Sequence, residues 1–455
     1  MFSKVLVANR GEIAVRIIRA LREMGIASVA IYSTADQEAM HTQLADQAIC
    51  IGPAKTTDSY ANPIAVLSAA LATGCDAIHP GYGFLSERSD FVAMCEEVGI
   101  QFIGPRSEVI NALGNKQRAR ETMIAAGVPV VPGSPGLVHD IETAKAIAQE
   151  IGFPLMIKAA DGGGGKGMRR VMEAGDLESL FIQAQRETQA IYGNQDLYLE
   201  KIIYPARHIE VQLIADHHGK VLHLGERDCS LQRNHQKVIE FAPALALDDA
   251  TRQSLCQTAV KAAQAIGYTN AGTIEFLVDE AGHFYFMEMN TRLQVEHPVT
   301  EAITGFDLVQ AQIQVASGLA LPMQQADIHF HGFAIECRLN AEDARNNFRP
   351  AAGFVDRLIL PAGLGVRIES GLYPQYEVPP YYDSMVAKII VHQSNPDRAF
   401  KTMDRALMEV VVEGLATNID LLQALIDSDA VQANQFHTKW LEESFLPGWL
   451  AQGEE

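Results

Sequence analysis

The sequence predicts an α/β protein of several lobes, and three observations carry that prediction. A strand–helix–strand alternation opens the chain, a glycine-rich hairpin follows near residue 160, and later hairpins turn the pattern from parallel to antiparallel. At 455 residues the chain has room for about three domains. With 48% of its residues hydrophobic, it can bury a sizeable core.

Lys4 to Ala8 reads as a short buried strand. Arg10 to Met24 sets Ile13, Val15, Ile17, Ile18 and Leu21 at helical spacing, and Gly25 stops the helix. Ala27 to Tyr32 reads as a second strand, which completes a βαβ unit. The pattern resumes at Ala48–Ile51 and Ala77–His79, so an open α/β domain is expected over about residues 1–110. The loop His79-Pro80-Gly81-Tyr82-Gly83-Phe84 follows a strand, at the edge where such sheets bind ligands. From about residue 130 the character changes. Pro154 to Ala160 and Met168 to Met172 read as strands joined by Asp161-Gly162-Gly163-Gly164-Gly165-Lys166-Gly167. Ile209–Ala215 and Val221–Leu224 form a second hairpin, a helix spans about 248–266, and Gly272–Val278 pairs with His283–Asn290 across Asp279-Glu280-Ala281-Gly282. After about residue 331 the chain is mixed α/β and ends in helices.

Composition excludes several classes. A net charge of −20 argues against binding a phosphate backbone, which needs a basic face, but permits binding one nucleotide. Six cysteines lie far apart with no zinc-type spacing, as suits thiols in a reducing compartment. Met1-Phe2-Ser3 runs straight into a strand-like stretch, and no apolar run reaches the ~18 residues of a membrane span. A cytoplasmic protein that engages neither nucleic acid nor membrane is expected.

The glycine loop is the loudest local signal. Gly162, Gly164 and Gly167 fit GxGxxG, but a dinucleotide loop must open a helix and this one opens a strand. Walker A fails too, because Met168 follows Gly167. What remains is a hairpin tip whose backbone N–H groups can wrap phosphates; a plain turn would not need four consecutive glycines. Lys158, in the strand leading to that tip, reads either as a solvated edge residue or as a phosphate ligand. Lys116, taken alone, reads as a surface residue.

In the third hairpin a four-residue loop opposes Val278 to His283 and Glu275 to Phe286. Glu275, Glu288 and Asn290 then project from one face, two carboxylates and an amide that suit Mg²⁺ between nucleotide phosphates. A solvent-facing sheet with incidental acids is the plainer alternative. Beyond it, Arg292 has the planar fork that holds a small oxyanion, and Glu296 near a helix start is placed to act as a general base. His297 before Pro298 reads rather as packing. Arg227-Asp228-Cys229-Ser230-Leu231-Gln232-Arg233-Asn234-His235-Gln236-Lys237 reads as a polar loop, either merely solvated or with a charge that suits an anionic intermediate.

Together these segments resemble the biotin carboxylase family, over nearly the whole chain. The resemblance is carried by Ala8-Asn9-Arg10-Gly11-Glu12-Ile13-Ala14, by His79 through Glu87, and by Glu288-Met289-Asn290-Thr291-Arg292-Leu293-Gln294-Val295-Glu296-His297-Pro298. Glu336 through Asp343 and Pro379-Pro380-Tyr381-Tyr382-Asp383-Ser384-Met385 complete it. The chain departs from the family pattern at Asn234, Phe241, Ala344 and the turn Arg349–Gly353.

The resemblance implies an ATP-grasp fold: an N-terminal open α/β domain over 1–113, an ATP-grasp domain over 114–330 with a mobile lid at about 131–203, and a mixed α/β C-terminal domain over 331–455. It implies ATP at Lys116, Lys158, Gly164, Gly165, Glu200, Lys201, Ile202, Ile203, His208 and His235. Glu275, Glu288 and Asn290 would hold Mg²⁺ or Mn²⁺, the two glutamates also facing the nucleotide. Lys237, Arg292 and Val295 would bind bicarbonate, Glu296 would take its proton, and Arg338 would stabilise the biotin-derived anion. The implied reaction is ATP-dependent carboxylation of biotin through carboxyphosphate, as the first half-reaction of acetyl-CoA carboxylase in fatty acid synthesis. No Ala/Val-Met-Lys-Met biotin-attachment segment occurs. Biotin is therefore expected on a separate carrier protein, with carboxyltransferase subunits as further partners and a homodimer as the assembly. The rival readings are another ATP-grasp ligase and a non-catalytic ATP-binding regulator. Arg292, Glu296 and Arg338 together favour biotin over the first; retention of Glu296, Lys237 and Arg338 speaks against the second.

Overall fold

A computed structural model describes residues 1–159 and 168–452, with the side chains of Lys116, Gln117 and Tyr192 also outside the described part. β1 (Lys4–Val7), β2 (Ala27–Ser33), β3 (Gln47–Gly52), β4 (Ala77–His79) and β5 (Gln101–Phe102) form a parallel sheet in the order β3-β2-β1-β4-β5. The central strands are near-continuous Val, Ile, Leu and Ala because helices cover both faces. Chain order reverses between β1 and β4, so the loops at their carboxyl ends flank a crevice. Asn9 ties those loops together, its Nδ2 donating to the carbonyls of Pro80 and Tyr82, both at 2.7 Å. Gly81 sits there at φ +62°, where a Cβ would lie 2.9 Å from Asn9 Nδ2, so the close approach requires glycine.

β6 (Leu155–Ala159), β7 (Met168–Val171) and β8 (Leu197–Lys201) make a separate antiparallel sheet with β6 in the middle. Helices Ile141–Ile151 and Leu177–Tyr192 cover it through an apolar cluster that includes Ala144, Ala148, Phe181 and Ala184.

β9 (Ala206–Ala215), β10 (Val221–Arg233), β11 (Gln236–Ala242), β12 (Asn270–Asp279), β13 (Phe284–Asn290) and β14 (Phe333–Asn340) join strands Met385–Gln393 and Val366–Ser370 in one antiparallel sheet. Its order is β13-β12-β9-β10-β11-β14, then Met385–Gln393, then Val366–Ser370. The sheet runs unbroken across residue 330, so the second and third expected lobes share a backbone. Helix Asp249–Ala265 packs on β9 and β10, its first turn capped by Asp248, which accepts the Thr251 N–H at 2.7 Å.

The sheet corrects the sequence reading twice. The segment read as a polar loop over 227–237 is instead the end of β10, a turn, and the start of β11. Arg227, Asp228 and Ser230 are buried there because β9 supplies partners for them: Glu210 for Arg227, Arg207 for Asp228 and the His208 N–H for Ser230. Only Asn234 and His235 turn, both left-handed (φ 49° and 64°), a pair of dihedrals that asparagine at the first position tolerates.

The second correction concerns register. Val278 opposes Phe284 and Phe276 opposes Phe286, one residue from the expected pairing. Asp279 is the cause: its Oδ1 accepts N–H groups from Ala281 and His283, closing a three-residue connection with Gly282 at φ +82°. A bulge beside Phe276 then inserts one residue of β13, and Glu275 comes to face Glu288 directly, with Asn290 opposite Thr273.

Candidate active site

Directly opposed residues across antiparallel strands share a face. One such row crosses four strands and is charged throughout: Glu288 on β13, Glu275 on β12, Glu210 on β9 and Arg227 on β10. Arg227 is wholly buried, with Nε on Glu210 Oε1 at 2.6 Å and Nη1 on Gln212 Oε1 and Thr300 Oγ1, both at 2.8 Å. Arg227→Met should therefore leave Glu210 Oε1 without its partner, Lys237 holding only the other oxygen, and lower stability by about 3–5 kcal/mol. Urea unfolding checks this, and an unchanged midpoint would show that Glu210 does not depend on the guanidinium.

Lys237 on β11 reaches into this row. Its ammonium donates to Glu210, to Glu275 Oε1 at 3.0 Å and to Glu296 Oε1 at 2.5 Å, using all three protons on carboxylates. Glu296 is the residue before helix His297–Thr304 and is fully buried; its other oxygen accepts from Arg338 Nη2 at 2.9 Å. Arg338 on β14 is held from behind by Glu240, Nε to Oε1 at 2.5 Å. Burial works to raise the Glu296 carboxyl, but Lys237, Arg338 and Arg227 outweigh it and hold it well below the usual carboxylate range. For Glu275 burial again pushes upward, and Lys237 with His208 prevails, so it too stays ionised. The His208 imidazole, 3.2 Å from Glu275 Oε2, is raised despite its burial by that carboxylate.

Arg292 lies at the mouth. Its Nε donates to Glu87 Oε2 at 3.1 Å, Nη2 to Asn290 Oδ1 at 3.0 Å and Nη1 to Gln294 Oε1 at 2.8 Å. Asn290 Nδ2 and Gln294 Nε2 in turn donate to Glu275 Oε1 at 3.0 and 3.2 Å. Lys237, Glu275, Asn290, Arg292, Glu296 and Arg338 thus form one connected network. The Val295 carbonyl is fixed beside it by Lys388 Nζ at 2.7 Å.

The remaining expected residues lie outside this network. Lys158 on β6 pairs with Glu200 on β8. Lys201 holds the Phe153 carbonyl at 2.7 Å and the Ile202 N–H holds that of Pro154 at 3.0 Å, so the end of β8 and the segment after it lead from the small sheet to β9. His235 is exposed at the β10–β11 turn, and Glu288 is exposed on the outer strand. Gly164, Gly165 and the Lys116 side chain lie outside the described residues. His297, read as packing, is buried with Nδ1 2.8 Å from the Gln294 carbonyl.

For a hard cation, the opposed carboxylates of Glu275 and Glu288 with the neighbouring amide oxygen of Asn290 make a fitting donor set. Among the described residues, ligand atoms of His208, Glu210 and Glu275 also converge within 4.8 Å.

Sequence reasoning missed Glu210, Glu240, Glu87 and Lys388. Glu210 and Glu240 are the single acids of their strands, each between two apolar neighbours (Ile209 and Val211, Ile239 and Phe241), and both are fully buried, which was a usable signal. Glu87 binds Thr291 and Arg292 across 204 and 205 residues, and no local pattern announces that.

Three family models match in succession: "Biotin carboxylase, N-terminal domain" over residues 1–110, "Carbamoyl-phosphate synthase L chain, ATP binding domain" over 115–324 and "Biotin carboxylase C-terminal domain" over 336–443. Biotin carboxylase 1 of Bacillus subtilis is 52% identical over 443 residues, covering 97% of this chain and 98% of that protein. The Campylobacter jejuni biotin carboxylase, solved in complex with β,γ-ATP, superposes with a TM-score of 0.91 at 47% identity, covering 97% and 98% of the two chains. The biotin carboxylase domain dimer of Hydrogenobacter thermophilus 2-oxoglutarate carboxylase, solved with MgADP, ADP and bicarbonate, gives 0.89 at 48% identity over the same shares.

Proposed function

Because the chain belongs to the biotin carboxylase family, we propose that the connected network around Lys237, Glu296 and Arg338 is where it carboxylates biotin at the expense of ATP. The observation that supports this most is the placing of one buried carboxylate, Glu296, between an ammonium and a guanidinium.

In this reading Lys116, Lys158, Glu200, Lys201, Ile202, Ile203, His208 and His235 receive ATP, with the Gly164–Gly165 backbone over its phosphates. Glu275, Glu288 and Asn290 would hold Mg²⁺ or Mn²⁺, which neutralises phosphate charge as the phosphoryl group moves. Bicarbonate enters against Arg292, Lys237 and the Val295 backbone. Its arrival draws Lys237 partly away from Glu296, which lifts that carboxylate's basicity when a proton must be taken. Glu296 accepts the proton, and the bicarbonate oxygen attacks the γ-phosphorus in line, giving carboxyphosphate and ADP. Burial keeps water from that species until it breaks into CO₂ and phosphate. The phosphate takes the ureido N–H proton of biotin, Arg338 stabilises the anion formed, and that nitrogen bonds CO₂.

Biotin arrives on a separate carrier protein, with carboxyltransferase subunits completing the pathway and a homodimer as the assembly. Acetyl-CoA is the proposed final acceptor, which makes this the first step of fatty acid synthesis; a solved relative serves 2-oxoglutarate carboxylase instead. A cytoplasmic setting is supported by five buried free cysteines, Cys75, Cys95, Cys229, Cys256 and Cys337. Among the described residues no helix is long and apolar enough to cross a membrane.

The test is ADP release by the purified protein with Mg²⁺, with bicarbonate and biotin each added or omitted. Release that needs bicarbonate and rises with biotin supports the assignment; release indifferent to both points to another ATP-grasp substrate. A second test addresses the mouth. Glu87→Gln should loosen Arg292 and raise KM for bicarbonate roughly tenfold, the worth of one charged hydrogen bond, with little change in kcat. A KM within twofold of the parent would free Arg292 from dependence on Glu87.

A further inference from the structure

Behind Arg338 lies a second carboxyl group with no role in the chemistry above. Glu336 on β14 stands directly opposite Glu240 on β11, and side chains so paired leave the backbone only ~5 Å apart. Both are fully buried. Glu240 gives one oxygen to Arg338, while its Oε2 and both oxygens of Glu336 have no hydrogen-bond partner among the described residues.

The cations nearby are engaged elsewhere. Arg338 is shared between Glu240 and Glu296. Lys388, opposite Arg338 on the next strand, binds the Val295 carbonyl and lies 3.2 Å from Glu12 Oε1. Glu369, opposite Lys388 on the outermost strand, pairs with Arg367 at 2.7 Å. From the covering helix, His297 contributes a buried imidazole that burial and neighbouring cations hold well below its usual value, hence neutral. The rest of that face is apolar: Ala242, Ala334 and Ile390 meet Val299 and Ile303. Two ionised carboxylates side by side under such a cover are strongly disfavoured, since burial penalises each charge and the cations within reach are already paired.

We propose that Glu240 and Glu336 hold one proton between them, resting on Glu336, and that Glu336 is a positioning residue acting through Glu240 on Arg338. The proton turns one orphan acceptor into a donor, so Glu336 O–H can bind Glu240 Oε2. The pair then carries a single negative charge, balanced by Arg338 without drawing its guanidinium back from the site. Burial raises Glu336 well above the usual range and Glu240 to about 7, in keeping with a pair that titrates as a unit. Loss of the shared proton would add a second negative charge behind Arg338 and pull it toward the sheet. Biotin-dependent turnover should therefore fall as pH rises through the upper titration of the pair. The positioning part rests on the assignment of Arg338 to the biotin side; the proton does not.

Infrared spectroscopy of the resting protein tests the proton directly. Wild type should show a protonated-carboxyl stretch at neutral pH that fades in alkali, and Glu336→Gln should lack it. In parallel, kcat/KM for biotin should lose its alkaline limb in Glu336→Gln, or shift it upward by at least about one pH unit, because the amide is neutral throughout. A spectrum unchanged by the substitution overturns the shared proton. A missing band with an alkaline limb superimposed on wild type overturns the positioning role. Should Glu336→Gln not fold, Glu336→Asp should shift the band, because the acid that carries the proton is changed, and an unshifted band overturns the shared proton. Failure of the biotin assignment shows separately, as wild-type ADP release that ignores biotin.

Discussion

Glu296→Gln should lower bicarbonate-dependent ADP release by on the order of 10²–10⁴-fold, the range over which a positioned general base contributes. The substitution keeps the shape of the side chain and removes only its charge and its capacity to take a proton. Arg338 keeps Glu240 and Lys237 keeps Glu210 and Glu275, so the cations remain paired and the stability lost should be limited to what the ionised Glu296 carboxylate itself contributes, with the variant still folded. That separation makes the prediction specific. A loss of activity in a variant that stays folded belongs to proton transfer rather than to a collapsed site. The pH dependence has a definite sign. Because its neighbours hold Glu296 well below the usual carboxylate range, it remains ionised through the weakly acidic region. Any acid limb near neutrality in kcat/KM for bicarbonate therefore belongs to another group, and Glu296→Gln should leave its midpoint unmoved. Retention of more than a tenth of wild-type turnover would remove Glu296 from the proton-transfer step.

How much of this was legible in the sequence differs from element to element. The βαβ start, the hairpin flanking the glycine loop and the helix over Asp249–Ala265 follow from local periodicity and turn residues, and they stand as read. The segment over 227–237 did not, because polar side chains usually mark loops. Here Arg227 is polar and buried, satisfied by Glu210, Gln212, Thr273 and Thr300, partners 15 to 73 residues away. The Glu275–Glu288 pairing was anticipated on one face through an incorrect register. A turn one residue tighter than expected and a compensating bulge returned the same outcome, so agreement there owed nothing to the argument first made. The motif around Arg292 and Glu296 named reacting groups but not what holds them. Glu87, Glu240 and Lys388 come from three different elements and meet the motif only in three dimensions.

The same network makes Lys237→Gln the most damaging single change. Three buried carboxylates, Glu210, Glu275 and Glu296, share this one ammonium. Arg227, Arg338 and His208 also face them, but each is already paired within the cluster. Without Lys237 at least one carboxylate must take up a proton at neutral pH or remain buried and uncompensated, a cost of about 3–5 kcal/mol. Turnover should fall by at least roughly 100-fold as well, since bicarbonate loses a cation and Glu296 its neighbour. Stability fixes the cause. In wild type the folded-state values of Glu275 and Glu296 are depressed, so the stability they contribute is present above the unfolded value of about 4.3 and is lost as pH falls through the folded values. In the variant the affected carboxylate is raised above about 4.3 instead, so its folded form binds the extra proton and stability falls as pH rises. The difference in melting temperature between the two proteins, measured without nucleotide or divalent metal, should therefore be large at neutral pH and shrink steadily toward pH ~5. A difference independent of pH would mean that Lys237 supports the fold by packing alone, and the carboxylates around it would need another source of compensation.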